Sequence, residues 1–198
     1  MIDPFNIGWD NPDQSTIQEF MLFCTFVKNK PAATISKKLE AFLYELCVFQ
    51  EDGSLPALEL LKRTDIDYVE ELLRKHKLSP YEQNLQTLNF LMWDKDLWQT
   101  GAIDPLLNRS FFMRIPGWSY KTASFFKLYV DPNWAGCVID THVRKFMTFQ
   151  GLPWSTSYEL NETHLLVHWA RYCRDRLPSL RQFDTYIWQQ FATTPTHA

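Results

Sequence analysis

The chain has 198 residues, enough for one domain with a sizeable core or for two small lobes sharing a cleft, and 45% of them are hydrophobic. Its formal net charge of −3 excludes a protein that grips nucleic acid through bulk positive charge alone. The charge is uneven, with 10 basic and 16 acidic side chains up to residue 98 and 10 and 7 after it, so an anionic partner is expected to meet the C-terminal half.

Cys24, Cys47, Cys137 and Cys173 lie 23, 90 and 36 residues apart, with no C-x-x-C pair that would point to zinc or an iron–sulfur cluster. Four free thiols, no signal peptide and no apolar run of membrane-spanning length read as a soluble intracellular protein with no membrane partner. Eight tryptophans and 16% aromatic residues exceed what one core readily hides, so the aromatic set is expected to reach a site. Any single ring is read first as core.

Apolar residues recur at helical spacing almost throughout and strand-like alternation is absent, so the predicted class is all-α. Ser15 and Gln18 form a capping-box pattern before "IQEFMLFCTFV", and "ISKKLEAFLYELCVF" follows Pro31 as a second amphipathic helix. After the breaker "DGSLP", the stretches "LPALELLKR", "DIDYVEELLRKHK" and "SPYEQNLQTLNFLMWDKDL" read as three more helices. The cluster "RKHK" at 74–77 is a charged last turn that suits the helix dipole. "DPLLNRSFFMRI", "PGWS" and "YKTASFFKLYV" then read as helix, tight turn, helix. Beyond the breaker "DPNWAG", the segments "CVIDTHVRKFMTF", "NETHLLVHWARYCRDR" and "SLRQFDTYIWQQF" are each helical in pattern.

The helix–turn–helix around Gly117 carries the chemistry. A glycine at the tip lets the backbone approach a partner closely, and the N–H groups that open the next helix form a ready phosphate cradle. Lys121 sits in that first turn, where the dipole disfavours a cation, next to Phe125 and Phe126, which are expected to desolvate it. Both effects move the amine toward a usable nucleophile. Nineteen residues on, Asp140 takes the position before a helix, where backbone N–H groups favour an ionised carboxylate. A held anion suits a reaction that develops positive charge.

These residues carry a resemblance. "IPGWSYKTA" followed by "VIDTH" resembles the signature of the helix-hairpin-helix DNA glycosylases, which include endonuclease III and the 8-oxoguanine DNA glycosylases. "FMLFCTFVKNKPAATISKKLEAFL" resembles their first core helices and wedge loop, and "FDTYIW" resembles a C-terminal segment of the archaeal and bacterial 8-oxoguanine enzymes. The missing cysteine cluster argues against endonuclease III. Two residues depart from the pattern: Ser119 replaces the usual second hairpin glycine, and Trp118 replaces a small aliphatic residue.

The resemblance implies two helical lobes with a cleft between them, residues 15–130 forming one and residues 131–198 with the strip 1–14 the other. It implies Lys121 as the nucleophile, Asp140 as the catalytic carboxylate, and a bifunctional glycosylase and AP lyase removing 8-oxoguanine. Gly117, Ser119, Thr122 and His142 would touch DNA, and Lys28 or Asn29 would fill the gap left by the flipped base. Asp184 and Trp188, four apart on one helix face, would read the base with Phe125, assisted by Gln14 and Trp9. The expected partner is double-stranded DNA with a damaged base, met by a monomer in the nucleoid or a nucleus. No cofactor is expected, although a monovalent cation at the hairpin is compatible with the pattern. The alternatives are a glycosylase for another modified purine and a non-catalytic DNA-binding protein using the hairpin alone. His164 and His168 share metal-ligand spacing, but "HLLVH" lacks the glutamate of H-E-x-x-H and a third ligand.

Overall fold

The computed structural model describes residues 2, 12–28, 30–50, 55–98 and 101–191, and these residues form helices and connecting turns with no strand. Among them no helix is long and apolar enough to cross a membrane. Helix α1 (Gln14–Phe26) runs through the middle of the larger lobe, and Phe20, Met21, Leu22, Phe23 and Cys24 have no exposed surface. A helix apolar on every side must be surrounded. Helices α2 (Ala32–Gln50), α3 (Ala57–Lys62), α5 (Tyr81–Trp93) and α7 (Tyr120–Val130) pack around it, with α4 (Ile66–Lys75) against α5.

The start of α1 differs from the capping box expected at Ser15 and Gln18. Asp13 caps the helix instead, accepting the Thr16 N–H at 2.8 Å. Gln18 is buried, and its Oε1 accepts the Leu58 N–H at 2.8 Å, which ties α1 to the start of α3. A long-range partner displaced the local one.

The helix expected across residues 104–115 is also shorter, covering only α6 (Arg109–Phe112). Asp104 accepts the Leu106 N–H, a local bond that competes with helix, and Asn108 caps α6 by accepting the Phe111 N–H, which fixes where the helix begins. The hairpin follows at residues 116–119. Gly117 has φ +75, a conformation that favours glycine. Trp118 is 7% exposed, donates its indole N–H to Thr25 Oγ1 at 3.1 Å, and packs against Phe112 and Phe126. Trp118 therefore pins the hairpin to the core.

The smaller lobe holds α8 (Thr141–Phe149), α9 (Tyr158–His168) continuing through a π-helical turn (Trp169–Cys173), and α10 (Leu180–Phe191), which packs on α8. Buried residues form two clusters. Val138 belongs to the first, with Phe126 and Val130, whereas Cys137 and Ile139 belong to the second, with Phe146 and Phe183. Consecutive side chains of this short segment thus enter opposite cores.

Phe126 is fully buried and meets Phe20, Phe112 and Trp118, so it joins α1, α6, α7 and the hairpin. Phe126→Ala is expected to cost about 3–5 kcal/mol through lost burial and a residual cavity. Urea unfolding measures it, and a loss under about 1 kcal/mol would mean that this contact does not organise the lobe.

Candidate active site

A cleft of about 770 Å³ opens between the lobes, walled by α1, the hairpin, α7, the start of α8 and α10. Asp140 is the N-cap of α8: its Oδ1 accepts the N–H groups of His142 at 2.8 Å and Val143 at 2.9 Å. Its Oδ2 faces α7 and lies 3.9 Å from Lys121 Nζ. One oxygen is held by the helix and the other meets the amine.

Lys121 is the second residue of α7, and its side chain is 48% exposed. Phe126 does not cover it as expected, because that ring turns into the core and the amine stands in an open cleft. Phe125 lines the cleft wall, against Phe20 at 5.5 Å and Tyr129 at 5.1 Å between ring centroids. Ser119 has φ −111 and caps α7 by accepting from the Thr122 N–H, so replacing the second hairpin glycine imposes no backbone strain.

Asp184 and Trp188 line the opposite wall from α10. Asp184 Oδ2 accepts the Tyr129 O–H at 2.7 Å, with Thr185 Oγ1 3.4 Å from the same hydroxyl. Burial raises the Asp184 carboxyl from its ordinary 3.8 to about 7, the Tyr129 hydrogen bond opposes this, and the charge of Asp140 adds to it. Burial, followed by the nearby Asp184 charge, pushes the Tyr129 phenol well above its usual range. The Trp188 ring lies edge-on to His142, centroids 6.4 Å apart. His142 Nδ1 is 3.3 Å from the Phe191 carbonyl oxygen.

Other expectations are corrected. Gln14 does not face the cleft: its amide donates to the Ile103 carbonyl and accepts the Ile103 N–H, both at 2.8 Å, so neither end is left to read a base. Lys28 does line the cleft, but its amine is buried against the hairpin, where a β-carbon on Gly117 would come within 2.8 Å of Nζ. That places it beside the backbone turn and not as a projecting wedge. Desolvation lowers the Lys28 amine below the usual lysine range. Trp9 and Asn29 lie outside the described residues. His164 and His168 make no metal cluster; among the described residues no group of three or more His, Cys, Asp and Glu side chains could hold a metal ion.

Tyr129 was missed by sequence reasoning, although a signal existed. It stands four residues beyond Phe125 and eight beyond Lys121, so all three share one stripe of α7.

No protein-family model matches the chain, and no curated protein matches it. Solved structures do. The 8-oxoguanine DNA glycosylase of Thermotoga maritima superposes with a TM-score of 0.63 at 18% identity, covering 91% of this chain and 82% of that one. The Methanocaldococcus jannaschii 8-oxoguanine glycosylase/lyase, in complex with 15mer DNA containing 8-oxoguanine, gives 0.62 at 18%, covering 93% and 84%. The same organism's 8-oxoguanine DNA glycosylase in a further crystal structure gives 0.58 at 19%, covering 90% and 78%. The chain thus shares the all-α, two-lobed fold of these structures.

The Asp184 carboxyl sets a pH dependence of stability. With its folded pKa raised, the native state holds a proton that the unfolded chain has released, so stability falls as pH climbs from about 4 to about 7. Asp184→Asn is expected to flatten that slope and to gain on wild type above about pH 7. Urea unfolding across the window tests it; parallel slopes in the two proteins would show that Asp184 ionises normally.

Proposed function

We propose that the protein is a DNA glycosylase and AP lyase that removes 8-oxoguanine from duplex DNA through a Schiff base on Lys121. The observation that carries this reading is Lys121 Nζ facing the free oxygen of Asp140 at 3.9 Å, in a cleft beside the hairpin. A binding protein needs the hairpin but neither of these two groups.

The chemistry follows from their placement. A nucleotide flipped out of the duplex puts its sugar between α7 and α8, and enclosing it removes the water that now reaches Lys121. The neutral amine attacks C1′, and the glycosidic bond breaks with its electron pair leaving on the base, which takes up the proton that the attached nitrogen gives up. Asp140 Oδ2 stabilises the positive charge that develops on the sugar, and it needs no reorganisation because Oδ1 is already held by the helix. The nitrogen lone pair then forms the iminium as the C1′–O4′ bond breaks with its electron pair on O4′, which takes a proton from solvent. Loss of a C2′ proton then expels the 3′ phosphate by β-elimination and cuts the strand.

The base would lie between the walls carrying Phe125 and Trp188. An ionised Asp184 accepts from the N1–H and the exocyclic amine of a guanine-type base, a pattern adenine lacks. Gly117, Ser119 and Thr122 would seat the phosphate backbone at the start of α7. Lys28 stands close enough to the turn to join them.

Lys121→Gln is expected to abolish borohydride-trapped adducts and base release while duplex binding stays within about twofold, since the backbone cradle is untouched. An adduct that persists in this variant would overturn the assignment. Across duplexes bearing different single lesions, 8-oxoguanine should be released fastest, and another modified purine taking that place would replace the substrate reading. Asp140→Asn should lower turnover by about 10²–10³.

Asp184 supplies a second test. Because reading the base requires the carboxylate, discrimination for 8-oxoguanine over an abasic site is expected to rise as pH passes upward through about 7. In Asp184→Asn this rise disappears while the adduct with abasic DNA persists. Equal losses on both substrates would remove Asp184 from base reading.

A further inference from the structure

Arg109 opens α6 and is not among the residues that line the cleft. Its Nη1 donates to both carboxylate oxygens of Glu162 at 2.8 Å and to Ser124 Oγ at 3.2 Å. The guanidinium carbon lies 4.9 Å from the ring centroid of Tyr120, 5.5 Å from that of Tyr158 and 5.8 Å from that of Trp134. Glu162 belongs to α9 in the smaller lobe, and the two side chains are only 19% and 11% exposed.

The pair reaches the segment that delivers Asp140. Glu162 Oε1 also accepts the Cys137 N–H at 2.9 Å. The Tyr158 hydroxyl accepts the Ile139 N–H at 2.9 Å and donates to the Cys137 carbonyl at 3.1 Å. Gly136 allows the approach, since a β-carbon there would collide with the Trp134 ring and come within 2.8 Å of Glu162 Oε1. On the other side, Tyr120 stacks near the same guanidinium and immediately precedes Lys121.

We propose that Arg109 and Glu162 form an interlobe clamp that positions Asp140 against Lys121. The idea rests on the glycosylase reading for its catalytic consequence, but not for its geometry. Arg109 touches the neighbour of the nucleophile, and Glu162 holds the peptide that leads into the carboxylate. Both are positioning residues. A nearly buried ion pair is a poor device for stability alone, because apolar residues of similar volume serve as well or better. Its distinctive property is register: one guanidinium nitrogen bonded to both Glu162 oxygens, with Oε1 also accepting a backbone N–H, favours one relative placement of α6, α9 and residues 137–139.

The test uses the full chain carrying Arg109→Ala, Arg109→Lys or Glu162→Gln, each held well below its own unfolding temperature. Amide exchange at Cys137, Ile139, His142 and Val143 is measured without DNA, and adduct formation and affinity are measured with an abasic duplex. In Arg109→Ala, exchange at Cys137 and Ile139 is expected to rise about tenfold or more. Adduct formation should slow by about tenfold to a hundredfold with duplex affinity within about twofold, because misplacement of the two groups by about 1 Å has that scale of cost. Low millimolar guanidinium ion should restore part of the rate to Arg109→Ala alone, and Arg109→Lys should fall between Ala and wild type. A merely structural pair would lower the unfolding temperature, leave the folded protein's rate unchanged and show no rescue; that result overturns the clamp, as does unchanged exchange at Cys137 and Ile139. If Arg109→Ala does not fold, the Lys and Gln variants decide by the same readouts. A wild-type chain that forms no adduct with abasic DNA would instead overturn the glycosylase reading, and exchange alone would then decide the clamp.

Discussion

The N-cap bond of Asp140 is the constraint on which the site depends. Two backbone N–H groups of α8 hold Oδ1, so the direction of Oδ2 is inherited from the helix and is not a rotamer the side chain can choose freely. Aiming that oxygen at Lys121 therefore means aiming the whole of α8. The burial pattern does this from behind, with Val138 in one core and Cys137 and Ile139 in the other, so the residues leading into the cap cannot slide toward either lobe without exposing apolar surface.

The hairpin solves the matching problem on the other side. Lys121 lies one residue inside α7, so its position depends on where that helix begins. Ser119 caps that beginning, Trp118 just before it is fastened to Thr25 by its own indole N–H, and Thr87 Oγ1 donates to the Pro116 carbonyl at 2.6 Å. Gly117 alone needs the left-handed backbone, and the two residues that looked like departures are stabilising in place. A glycine at 119 would supply freedom that this turn does not use.

Legibility in the sequence followed the range of each interaction. Asp140 as a cap and the helix pair around Gly117 were readable because cap, turn and helix start lie within a few residues of one another. Gln14 and Gln18 were misread because their partners, Ile103 and Leu58, are 89 and 40 residues away. A local capping pattern cannot report a distant backbone group that competes for the same amide. Arg109 and Glu162, 53 residues apart, left no local trace either. The exposure of Lys121 was missed for another reason: helical spacing placed Phe125 and Phe126 near it in sequence, but successive residues are about 100° apart on a helix, so only one can share its face. The same arithmetic, carried one turn further, would have found Tyr129.

Helix α7 shows how one rigid element can serve several demands at once. Lys121, Phe125 and Tyr129 recur every fourth residue and face the cleft as amine, wall and the donor that holds Asp184. Ser124 and Leu128, offset by one position, form the parallel stripe: Ser124 Oγ accepts from Arg109, and the Leu128 carbonyl accepts from Arg181 Nε at 2.7 Å. Lys127 is 2% exposed and bonds Asp131 Oδ2 and the Pro105 carbonyl, each at 2.7 Å, which anchors the C-terminal end of the helix. A helix does not bend easily over three turns, so these contacts are coupled. Displacing the smaller lobe along α10 would disturb Tyr129 and Leu128 together, and tilting α7 to follow would carry Lys121 away from Asp140. The width of the cleft therefore depends on how α7 is held against α10 at one end and against α6 and the hairpin at the other.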